Sequence, residues 1–423
     1  MKTATAFRSR MAEKSRSRGT LGAVALLLSV GCATYQGEVY EARNAIASND
    51  PLRAAALLKP KAETENRDQL IYVLDYATAL QQARQFKESA KAYQVAEKIA
   101  DVQDYHSISN IAGAALLSEE MVQYKGDDYE KVLINAMNAV NYLELGGLDE
   151  ALVEVRRLNQ KLYKYKTEAK RDYEQNPYAF YLGAMIYEAD RKWDDAYISY
   201  KSAYQHAPGF APLREDLIRA AEKAQRPEDV AKWKKEFPEV KPKPDWSDKG
   251  MGEIVLLYEQ GWGPRKQPRP EEQRFPKLYP VGSQTKFAKL IIDGAERARS
   301  DEIFDVTEAA IRALDADFGR LVASRVGGVA AKAVMADQLR QKDELLGAIA
   351  WVAMNVADRA DLRQWSTLPD TFQIARVPVK AGKYKVSVQG LDGSGSETGE
   401  VMEEREVEVR AGRKAFVSWR SVR

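Results

Sequence analysis

A recurring spacing of large, small and aromatic residues constrains the fold of this chain more than any other feature. Its clearest example, within residues 178–208, has a large residue, a small one, an aromatic one, a second small one and a proline: Trp193, Ala196, Tyr200, Ala203 and Pro208. Small residues at helical spacing let two antiparallel helices approach closely, and large residues fill the gaps between turns. The segment therefore predicts a pair of packed helices.

Looser copies of this spacing lie upstream, with the same alternation of large and small side chains: Phe86, Ser89, Tyr93 and Ala96 in one copy, and Leu148, Ala151, Val155 and Leu158 in the other. A degenerate helix pair at 213–236 is predicted to cap the array. The ordered copies resemble tetratricopeptide repeats, whose stacked helix pairs form a solenoid with a concave binding face. The alternative is a helical bundle without repeats.

Tyrosines are abundant in and near the predicted groove: Tyr163, Tyr165, Tyr173, Tyr178 and Tyr181. Aromatic-rich grooves suit partner binding, but tyrosine at helical spacing is also typical of the core between helices. The basic run 156–171 either meets an acidic partner or forms a solvated helix face. We predict a protein partner for the helical half, and both interpretations of the tyrosines stay open.

The first 32 residues have the order of an export signal, with basic residues, a short apolar core and a cysteine. The apolar core, residues 21–30, is too short for a lasting helix across a hydrocarbon layer of ~30 Å. The end of the segment resembles the lipobox of bacterial lipoproteins, with Gly31 before Cys32 and Ser29 where leucine is usual. Cleavage between Gly31 and Cys32 and lipidation of Cys32 are expected. The alternative is an ordinary cleaved signal.

The lipobox resemblance also implies a location. Ala33, rather than aspartate, follows the cysteine, and by enterobacterial sorting rules this favours the outer membrane. Residues 1–31 would then be the signal peptide, and residues 32–39 a lipid-anchored tether that faces the periplasm. Several acyl groups on a mature lipoprotein would provide the stable membrane anchoring that one chain does not.

Composition argues against several function classes. Residues 1–31 carry six basic side chains and one acidic one, so removing this net +5 from the formal +2 leaves a mature chain of −3. Such a chain has no general attraction for phosphate backbones, and no nucleic-acid partner is expected. Cys32 is the single cysteine, which excludes an intramolecular disulfide. Two histidines, His106 and His206, are a thin supply for zinc sites or acid–base catalysis.

Catalytic motifs are absent from the sequence. It contains no G-x-S-x-G elbow, P-loop, G-x-G-x-x-G or H-E-x-x-H. The run D-G-S-G-S at 392–396 superficially matches a metal-binding loop, but it lies between two predicted strands and is expected to be a polar hairpin tip. We therefore predict no catalytic residue, no metal, no cofactor and no enzymatic activity.

A proline-rich segment, 237–247, marks the predicted domain boundary and is expected to be a semi-rigid linker. The overall fold class is predicted to be α+β, with an all-α tetratricopeptide-like solenoid followed by a mixed domain that ends in a small antiparallel β-sandwich. The predicted domains are the helical domain 40–236, the mixed α/β domain 248–370 and the sandwich-like terminal module 371–423.

The mixed domain has its own predicted elements. Strands are predicted at 253–258 and 287–292, and a long helical region is predicted at 301–343 with a break near Gly327–Gly328. An apolar helix at 344–359 is predicted to be a core helix, because its apolar stretch is too short to cross a membrane.

Several phrases of the sequence, at 128–162, 176–204, 252–267 and 361–376, together resemble a family of bacterial outer-membrane lipoproteins with tetratricopeptide-like repeats. The motif residues are Glu259, Gly261, Pro264 and Lys266 in one element, and Arg363, Trp365, Leu368 and Pro369 in another. No catalytic activity is established for that family as a class. Its members often occur beside lipoproteins that activate peptidoglycan synthases, which implies envelope assembly. An ion pair between Glu259 and Lys266, and stacking of Arg363 on Trp365, are expected as structural contacts.

Three functions compete at this point. The first is a lipid-anchored, periplasm-facing scaffold that binds an envelope protein through its repeats. The second is a lipoprotein that binds peptidoglycan or another glycan with its C-terminal β domain. The third is a hydrolase with carboxylates in a deep pocket. The first accounts best for the repeats and for Cys32 together.

Overall fold

The protein is described here from a computed structural model. The structure describes residues 35–106, 123–167, 175–246, 248–342 and 359–423. Cys32, the predicted signal peptide and residues 344–358 of the predicted apolar helix lie outside the described residues. Contacts divide the chain into a unit of residues 1–40 and a unit of residues 41–423. The sheets, and their contacts with the helices, lie within the second unit.

The helical half consists of helices that pack in succession along the chain. In order, they are α1 (Tyr35–Glu38), α2 (Tyr40–Ala47), α3 (Pro51–Ala62), α4 (Gln69–Gln82), α5 (Phe86–His106), α6 (Asp128–Glu144), α7 (Leu148–Thr167), α8 (Pro177–Ala189), α9 (Trp193–His206), α10 (Pro212–Lys223) and α11 (Pro227–Glu236). From α3 onwards each helix packs against the next. The pairs α4–α5, α6–α7, α8–α9 and α10–α11 are the predicted repeats.

One turn geometry recurs between the helices. In each pair, the turn after the first helix contains a residue in the left-handed region: Arg84, Gly146, Arg191 and Gln225. The turn that joins α2 to α3 has the same feature at Asn49. In each turn the next backbone N–H donates to a carbonyl five residues back, as from Gln85 to Leu80 at 2.9 Å. This is the hydrogen-bond pattern that closes a helix through a left-handed residue. Recurrence of the turn confirms a repeating helical array.

Most predicted repeat residues lie in the contacts between helices. The residues buried there are Phe86, Tyr93, Ala96, Ala151, Val155, Ala196, Tyr200 and Ala203. Leu148 and Trp193 are half-buried at the first positions of α7 and α9, and Pro208 is exposed just after α9. Gly183 of α8 also marks a close approach, because an added Cβ would lie 3.0 Å from the side chain of Val155.

The second half is built mainly of strands. In order, they are β1 (Met251–Gln260), β2 (Arg265–Pro268), β3 (Pro276–Tyr279), β4 (Phe287–Ile292), β5 (Ala295–Arg299), β6 (Asp301–Asp305), β7 (Thr371–Lys380), β8 (Gly382–Leu391), β9 (Glu397–Val409) and β10 (Lys414–Arg420). Two four-stranded sheets have the orders β10-β1-β7-β6 and β5-β4-β8-β9, and β2 pairs with β3. The helix α12 (Val306–Lys342) follows β6.

The two four-stranded sheets pack face to face. Ile254, Leu256 and Tyr258 of β1 meet Leu290 of β4 and Val388 of β8 in one buried cluster, as in other sandwiches. The alternate residues of β1, from Val255 to Glu259, are also buried, so this strand is covered on both faces. Burial on both faces explains the unbroken apolar run IVLLY at 254–258.

The predicted terminal module is not an independent sandwich. Strand β10 pairs in parallel with β1, and β7 pairs antiparallel with β1, so residues on both sides of the predicted boundary at 370 share one sheet. The prediction of a separate antiparallel module for 371–423 was wrong. Four segments of this module alternate apolar and polar residues (IARVPV, KYKVSVQG, REVEVR and KAFVSW), which predicts the strands β7 to β10. Such a pattern does not say which strand lies beside which.

Two further expectations in the mixed domain are corrected. The predicted helical region starting at 301 begins with strand β6, and helix α12 is continuous through Gly327–Gly328. Glycine lowers helix stability by about 1 kcal/mol per residue but does not by itself end a helix.

The proline-rich segment does not act as a spacer. Residues 237–246 include one short 3₁₀ turn, Pro244–Trp246, that folds back onto α10. Lys243 Nζ lies 2.5 Å from Glu215 Oε2, and Trp246 Nε1 donates to Glu215 Oε1 at 2.9 Å. The two halves that this segment joins are extensively packed against each other.

Candidate functional site: the repeat groove and the sheet that fills it

The first helices of the repeat pairs, α4, α6 and α8, are buried along nearly their whole circumference. In a solenoid of helix pairs, these helices line the concave face. Here α6 and α8 lie against the sheet β10-β1-β7-β6: Tyr178 of α8 stacks on Phe372 of β7 at 4.2 Å, and α6 contacts β10. Helix α4 packs against the segment that leads into β7. The chain's own sheet therefore occupies the groove in which a partner was expected.

Asp75 of α4 makes the first polar link across this interface. Its carboxylate accepts hydrogen bonds from Ser366 Oγ at 3.0 Å and from both the backbone N–H and the hydroxyl of Thr367 at 3.0 and 2.8 Å. Trp365 Nε1 donates to Thr78 of the same helix at 3.0 Å. The segment before β7 is thus bound to the second and third turns of α4.

Glu130 of α6 makes the second link. It accepts from the backbone N–H of Trp365 at 2.7 Å, from Tyr124 Oη at 2.5 Å and from the backbone N–H of Asp127 at 3.0 Å. Burial, together with the charge of Asp127, raises the pKa of Glu130 to about 7, although Lys266 and the hydrogen bonds act in the opposite direction. Desolvation of the charged form explains this direction.

The residues of the two sequence motifs, around Glu259 and Arg363, lie at this interface, but their partners differ from those expected. Lys266 Nζ lies 3.3 Å from Asp127 Oδ2, and Glu259 Oε2 lies 3.5 Å from Arg420 Nη1. The expected ion pair between Glu259 and Lys266 was wrong, because the two side chains lie on different strands beside different partners. Burial would lower the pKa of Lys266, but Asp127, Asp361 and Glu130 raise it.

Arg363 also has partners other than the one expected. Its guanidinium donates to Asp68 at 2.7 Å and to Asp361 at 2.6 Å, and it lies 5.3 Å from the centre of the Tyr124 ring. The neighbouring Trp365 ring is instead 5.8 Å from that of Tyr93, a repeat residue. The expected stacking of Arg363 on Trp365 was wrong, because Arg363 is held by Asp68, Asp361 and Tyr124, whereas Trp365 packs between α4 and α5.

The remaining motif residues shape the backbone. Gly261 is left-handed, with φ +64°, and its carbonyl accepts from Arg420 at 3.1 Å. Gly263 donates to the carbonyl of the buried Leu368 at 2.8 Å, and a Cβ on Gly263 would lie 3.2 Å from the carbonyl oxygen of Pro369. The side chain of Gln364 links the two elements by donating to the carbonyl of Pro264. The two motifs therefore form one structural unit.

A third link is a buried charge network around Arg376 of β7. Its guanidinium donates to Asp216 of α10 at 2.8 Å and to Glu253 of β1 at 2.8 and 2.9 Å. Glu188 of α8 completes the network with Lys414 of β10 at 3.0 Å and with Arg219. Burial alone would raise the pKa of Glu253, but Arg376 and Lys414 lower it to about 2.

Glu144, the last residue of α6, makes the fourth link. It accepts from Arg405 of β9 at 3.0 and 3.1 Å and from the hydroxyl of Ser418 of β10 at 2.7 Å. The partners of Asp75, Glu130, Glu144 and Arg376 could not be predicted from the sequence, since each of the four residues has a contact with a partner more than 100 residues away. For the three acids, the sequence shows only an acidic residue on an otherwise apolar helix face.

These clusters are structural contacts that join the helices to the strand-rich half. Their carboxylates are paired with cations or accept hydrogen bonds from backbone and side-chain donors, as buried charges require. Tyr178 and Tyr181 are buried within them and belong to the core interpretation of the tyrosines. Tyr163, by contrast, is exposed.

Other predicted features have plain structural positions. Asp392 Oδ1 accepts from Ser394 and Ser396 in the turn between β8 and β9, as expected of a hairpin tip. His206 ends α9 and stacks on Phe180. Among the described residues, no group of three or more histidine, cysteine or acidic side chains is placed to hold a metal ion. Within the same residues, no helix has the length and apolar character for a membrane span.

No protein-family model matches the chain, and no curated protein sequence matches it. Among solved structures, it is similar to MamA of Desulfovibrio magneticus RS-1, with 12% identity and a TM-score of 0.31 over 47% of this chain and 89% of that one. A kinesin light chain of Podosopora anserina with TPR-like repeats gives 13% identity and a TM-score of 0.32, over 49% and 97%.

A third similar structure is the Rap conjugation gene regulator of plasmid pLS20 in complex with the Phr* peptide. It has 12% identity and a TM-score of 0.29, over 48% of this chain and 53% of that one. Each of the three covers about half of this chain. The helix pairs and their common turns establish the repeat architecture directly.

Proposed function

We propose that the protein is a non-catalytic scaffold of the cell envelope, held at the periplasmic face of the outer membrane by a lipid on Cys32. The lipobox-like segment supports the anchor, since the sole cysteine of 423 residues falls at the cleavage point. One observation carries the scaffold proposal: the repeats stack around the chain's own sheet, which leaves the outer helices as their free surface.

The outer helices present apolar side chains at matching positions. Val153 and Ile198 are the sixth residues of α7 and α9, and they are 42% and 44% exposed. Tyr163, farther along α7, is exposed as well. Exposed apolar groups that recur on one side of an array suit a protein partner. We assign partner binding to this outer face rather than to the concave face.

The anchor is tested by a Cys32→Ala substitution, followed by membrane fractionation and mass spectrometry of the mature N-terminus. We expect the unsubstituted chain to be found in the outer-membrane fraction and to begin with an acylated Cys32. The Cys32→Ala variant should not be acylated at this position and should be absent from the outer-membrane fraction. If the unsubstituted chain is soluble and carries no lipid, the proposed anchor is contradicted. The scaffold proposal is tested separately by crosslinking.

The partner surface is tested by crosslinking in intact envelopes. A double variant, Val153→Lys with Ile198→Lys, is expected to lose a crosslinked envelope protein that the unsubstituted chain captures. Phe287→Lys is the matched control, because Phe287 has similar exposure but lies on β4. Retention of the partner by the double variant, or its equal loss in the control, would contradict the assignment.

A second candidate function, peptidoglycan or glycan binding, is favoured by a crevice beside β10 whose wall includes Trp419. Sedimentation with purified peptidoglycan tests it. We expect the chain to sediment with the polymer, and a chain that stays in the supernatant would contradict this function.

A further inference from the structure

Strand β10 forms one edge of the sheet β10-β1-β7-β6, so only one side of its backbone is paired within that sheet. Just after β10, Ser421 donates its N–H to the carbonyl of Glu259 and accepts from the N–H of Gly261, so its backbone groups face β1. Along a paired strand, the backbone groups of successive residues point to opposite sides. The residues whose N–H and carbonyl groups face away from β1 are therefore Lys414, Phe416, Ser418 and Arg420.

The contacts of the outward backbone groups agree with this direction. The N–H of Ser418 donates at 2.5 Å to Oε1 of Glu144, the last residue of α6. Within the described part of the chain, the N–H and carbonyl of Phe416 have no hydrogen-bond partner. An edge strand with outward backbone groups is a template for pairing with another extended backbone.

Two crevices open along this edge. The larger, of about 930 Å³, lies at the start of the strand, where it is lined by Lys414, Ala415 and Phe416. The smaller, of about 300 Å³, lies at the end of the strand, where it is lined by Ser418, Trp419 and Arg420. Arg84 lines both crevices. Together the two linings include every residue of β10 except the buried Val417, so there is space along most of the strand.

A charged bridge lies beside the edge at Ser418. Glu144 accepts from Arg405 of β9 at 3.0 and 3.1 Å, and its carboxylate lies 3.6 Å from the guanidinium of Arg84, in the turn after α4. The same carboxylate accepts from both the N–H and the hydroxyl of Ser418. Charged side chains commonly block the edges of sheets in native proteins. Glu144 thus caps the edge of β10 in the place of a neighbouring strand's carbonyl.

The larger crevice provides apolar contact beside the outward backbone groups of Phe416. Leu143 at the end of α6 and Val407 of β9 line it together with the half-buried ring of Phe416. When a peptide adds to the edge of a sheet, main-chain hydrogen bonds give affinity and pockets for alternate side chains give specificity. This lining suits an extended segment that carries an apolar side chain.

We propose that an extended segment of a partner protein adds to the free edge of β10 as a further strand, and that Glu144 closes this edge until the segment displaces it. Carbonyl groups of the segment accept from the N–H groups of Phe416 and Ser418, and an apolar side chain enters the larger crevice. This surface lies apart from the outer helices. The inference goes beyond the proposed function and rests neither on the lipid anchor nor on partner binding by Val153 and Ile198.

A phage-displayed library of random peptides about as long as β10, selected on the purified full chain, supplies the probe. The selected peptides are synthesised with a fluorescent label, and their binding is measured by fluorescence anisotropy. We expect enriched peptides with alternating apolar residues, and we expect bound peptide to slow the hydrogen exchange of residues 414–420. The absence of enriched peptides, or binding that leaves this exchange unchanged, would overturn the proposal.

Two substitutions of Phe416 separate the backbone from the side chain. Phe416→Pro removes the outward N–H, and edge strands tolerate proline where the N–H faces away from the sheet. Phe416→Val loses the same ring but keeps the N–H. Because a carbonyl of the peptide is left unpaired, we expect Phe416→Pro to bind about tenfold more weakly than Phe416→Val. Equal binding by the two chains, each verified as folded by circular dichroism, would overturn the proposal.

Glu144→Ala tests the cap without a change in β10. It removes the carboxylate that competes for the N–H of Ser418, so the selected peptide should bind about tenfold more tightly. Glu150→Ala is the matched control, because Glu150 is an exposed acid that lines the larger crevice without bonding to β10. Unchanged or weaker binding by Glu144→Ala would overturn the proposal. A dimer of the unsubstituted chain that Phe416→Pro dissociates would also overturn it, since a second copy would then occupy the edge.

Discussion

Two regions of the interface between helices and sheet bury carboxyl groups with different kinds of partner. Around Arg376, three acids and three bases are buried together, and the cations hold the pKa values of Glu188 and Glu253 below the ordinary range. Around Glu130, the nearest donors are a tyrosine and backbone amides, and burial raises the carboxyl pKa to about 7. Cationic partners outweigh the effect of burial on the pKa of Glu253, whereas the hydrogen bonds to Glu130 only partly offset it, so the pKa values of the two buried acids shift in opposite directions.

The difference teaches what each region contributes. A balanced network is costly to break, because removing one partner leaves another charge buried without compensation. The Glu130 site is less costly to alter and is sensitive to pH in the neutral range. The two regions lie at different helix pairs of the same groove, so their responses can be separated by substitution.

The largest effect is expected for Arg376→Ala. Asp216, Glu253 and Glu188 would lose a shared cation within the interface, and the free energy of unfolding should fall by about 3–5 kcal/mol. Chemical denaturation followed by circular dichroism measures the change. Arg410→Ala is the control, because Arg410 is exposed and its pair with Glu408 should contribute less than about 1 kcal/mol. A loss for Arg376→Ala no larger than that of the control would show that the network does not hold the halves together.

The next effect is a pH dependence that distinguishes the two regions. Glu130 has a raised pKa, so its contribution is lost as pH rises from about 4.5 to about 7, by roughly 3 kcal/mol in total. Glu253 has a lowered pKa, so its contribution is lost as pH falls from about 4.5 to about 2. Glutamine resembles the protonated carboxyl, and Glu130→Gln should flatten the first window and leave the second unchanged.

Unfolding free energies measured from about pH 2 to about pH 8 check this pair of windows. The Glu253→Gln variant serves as the reciprocal control, since it should alter the acidic window alone. An unfolding free energy that rises between pH 4.5 and pH 7 in the unsubstituted chain, and is unaffected by Glu130→Gln, would refute the raised pKa.

How far the fold was predictable depended on the range of the interactions. The repeats could be predicted from residues such as Tyr93, Val155 and Ala196, because helix pairs are built from contacts within about 30 residues. Strand β4 was predicted from a short apolar segment, and strands β7 to β10 from local alternation of polar and apolar residues. The parallel pairing of β10 with β1 did not, since it joins Glu253 to Lys414. No local pattern encodes such a pairing.

The motifs at Glu259 and Arg363 were identified as structural by their glycine, proline and tryptophan neighbours. Their partners could not be identified, because Asp68, Asp127 and Arg420 lie on other elements far along the chain. For the same reason, the sequence did not allow us to predict that the chain's own sheet occupies the repeat groove. A helix buried on every side looks, in sequence, like any apolar helix.

A smaller effect is expected for Trp365→Phe. The phenyl ring keeps most of the contact with Tyr93, but the hydrogen bonds from the indole N–H to the hydroxyls of Thr78 and Thr367 are lost. We expect the unfolding free energy to fall by about 1–3 kcal/mol, from unpaired hydroxyls and reduced packing. Thermal unfolding measures it. A change below about 0.5 kcal/mol would mean that the indole does not couple α4 to the segment before β7.

The central claim is that the sheet fills the repeat groove and joins both halves in one cooperative unit. Hydrogen exchange followed by mass spectrometry tests it most directly, on the full chain and on Arg376→Ala. We predict that peptides from α6, α8, β1 and β7 are protected alike in the full chain and lose protection together in the variant. Helices α6 and α8 that exchange rapidly while β1 and β7 stay protected, in either protein, would contradict the account.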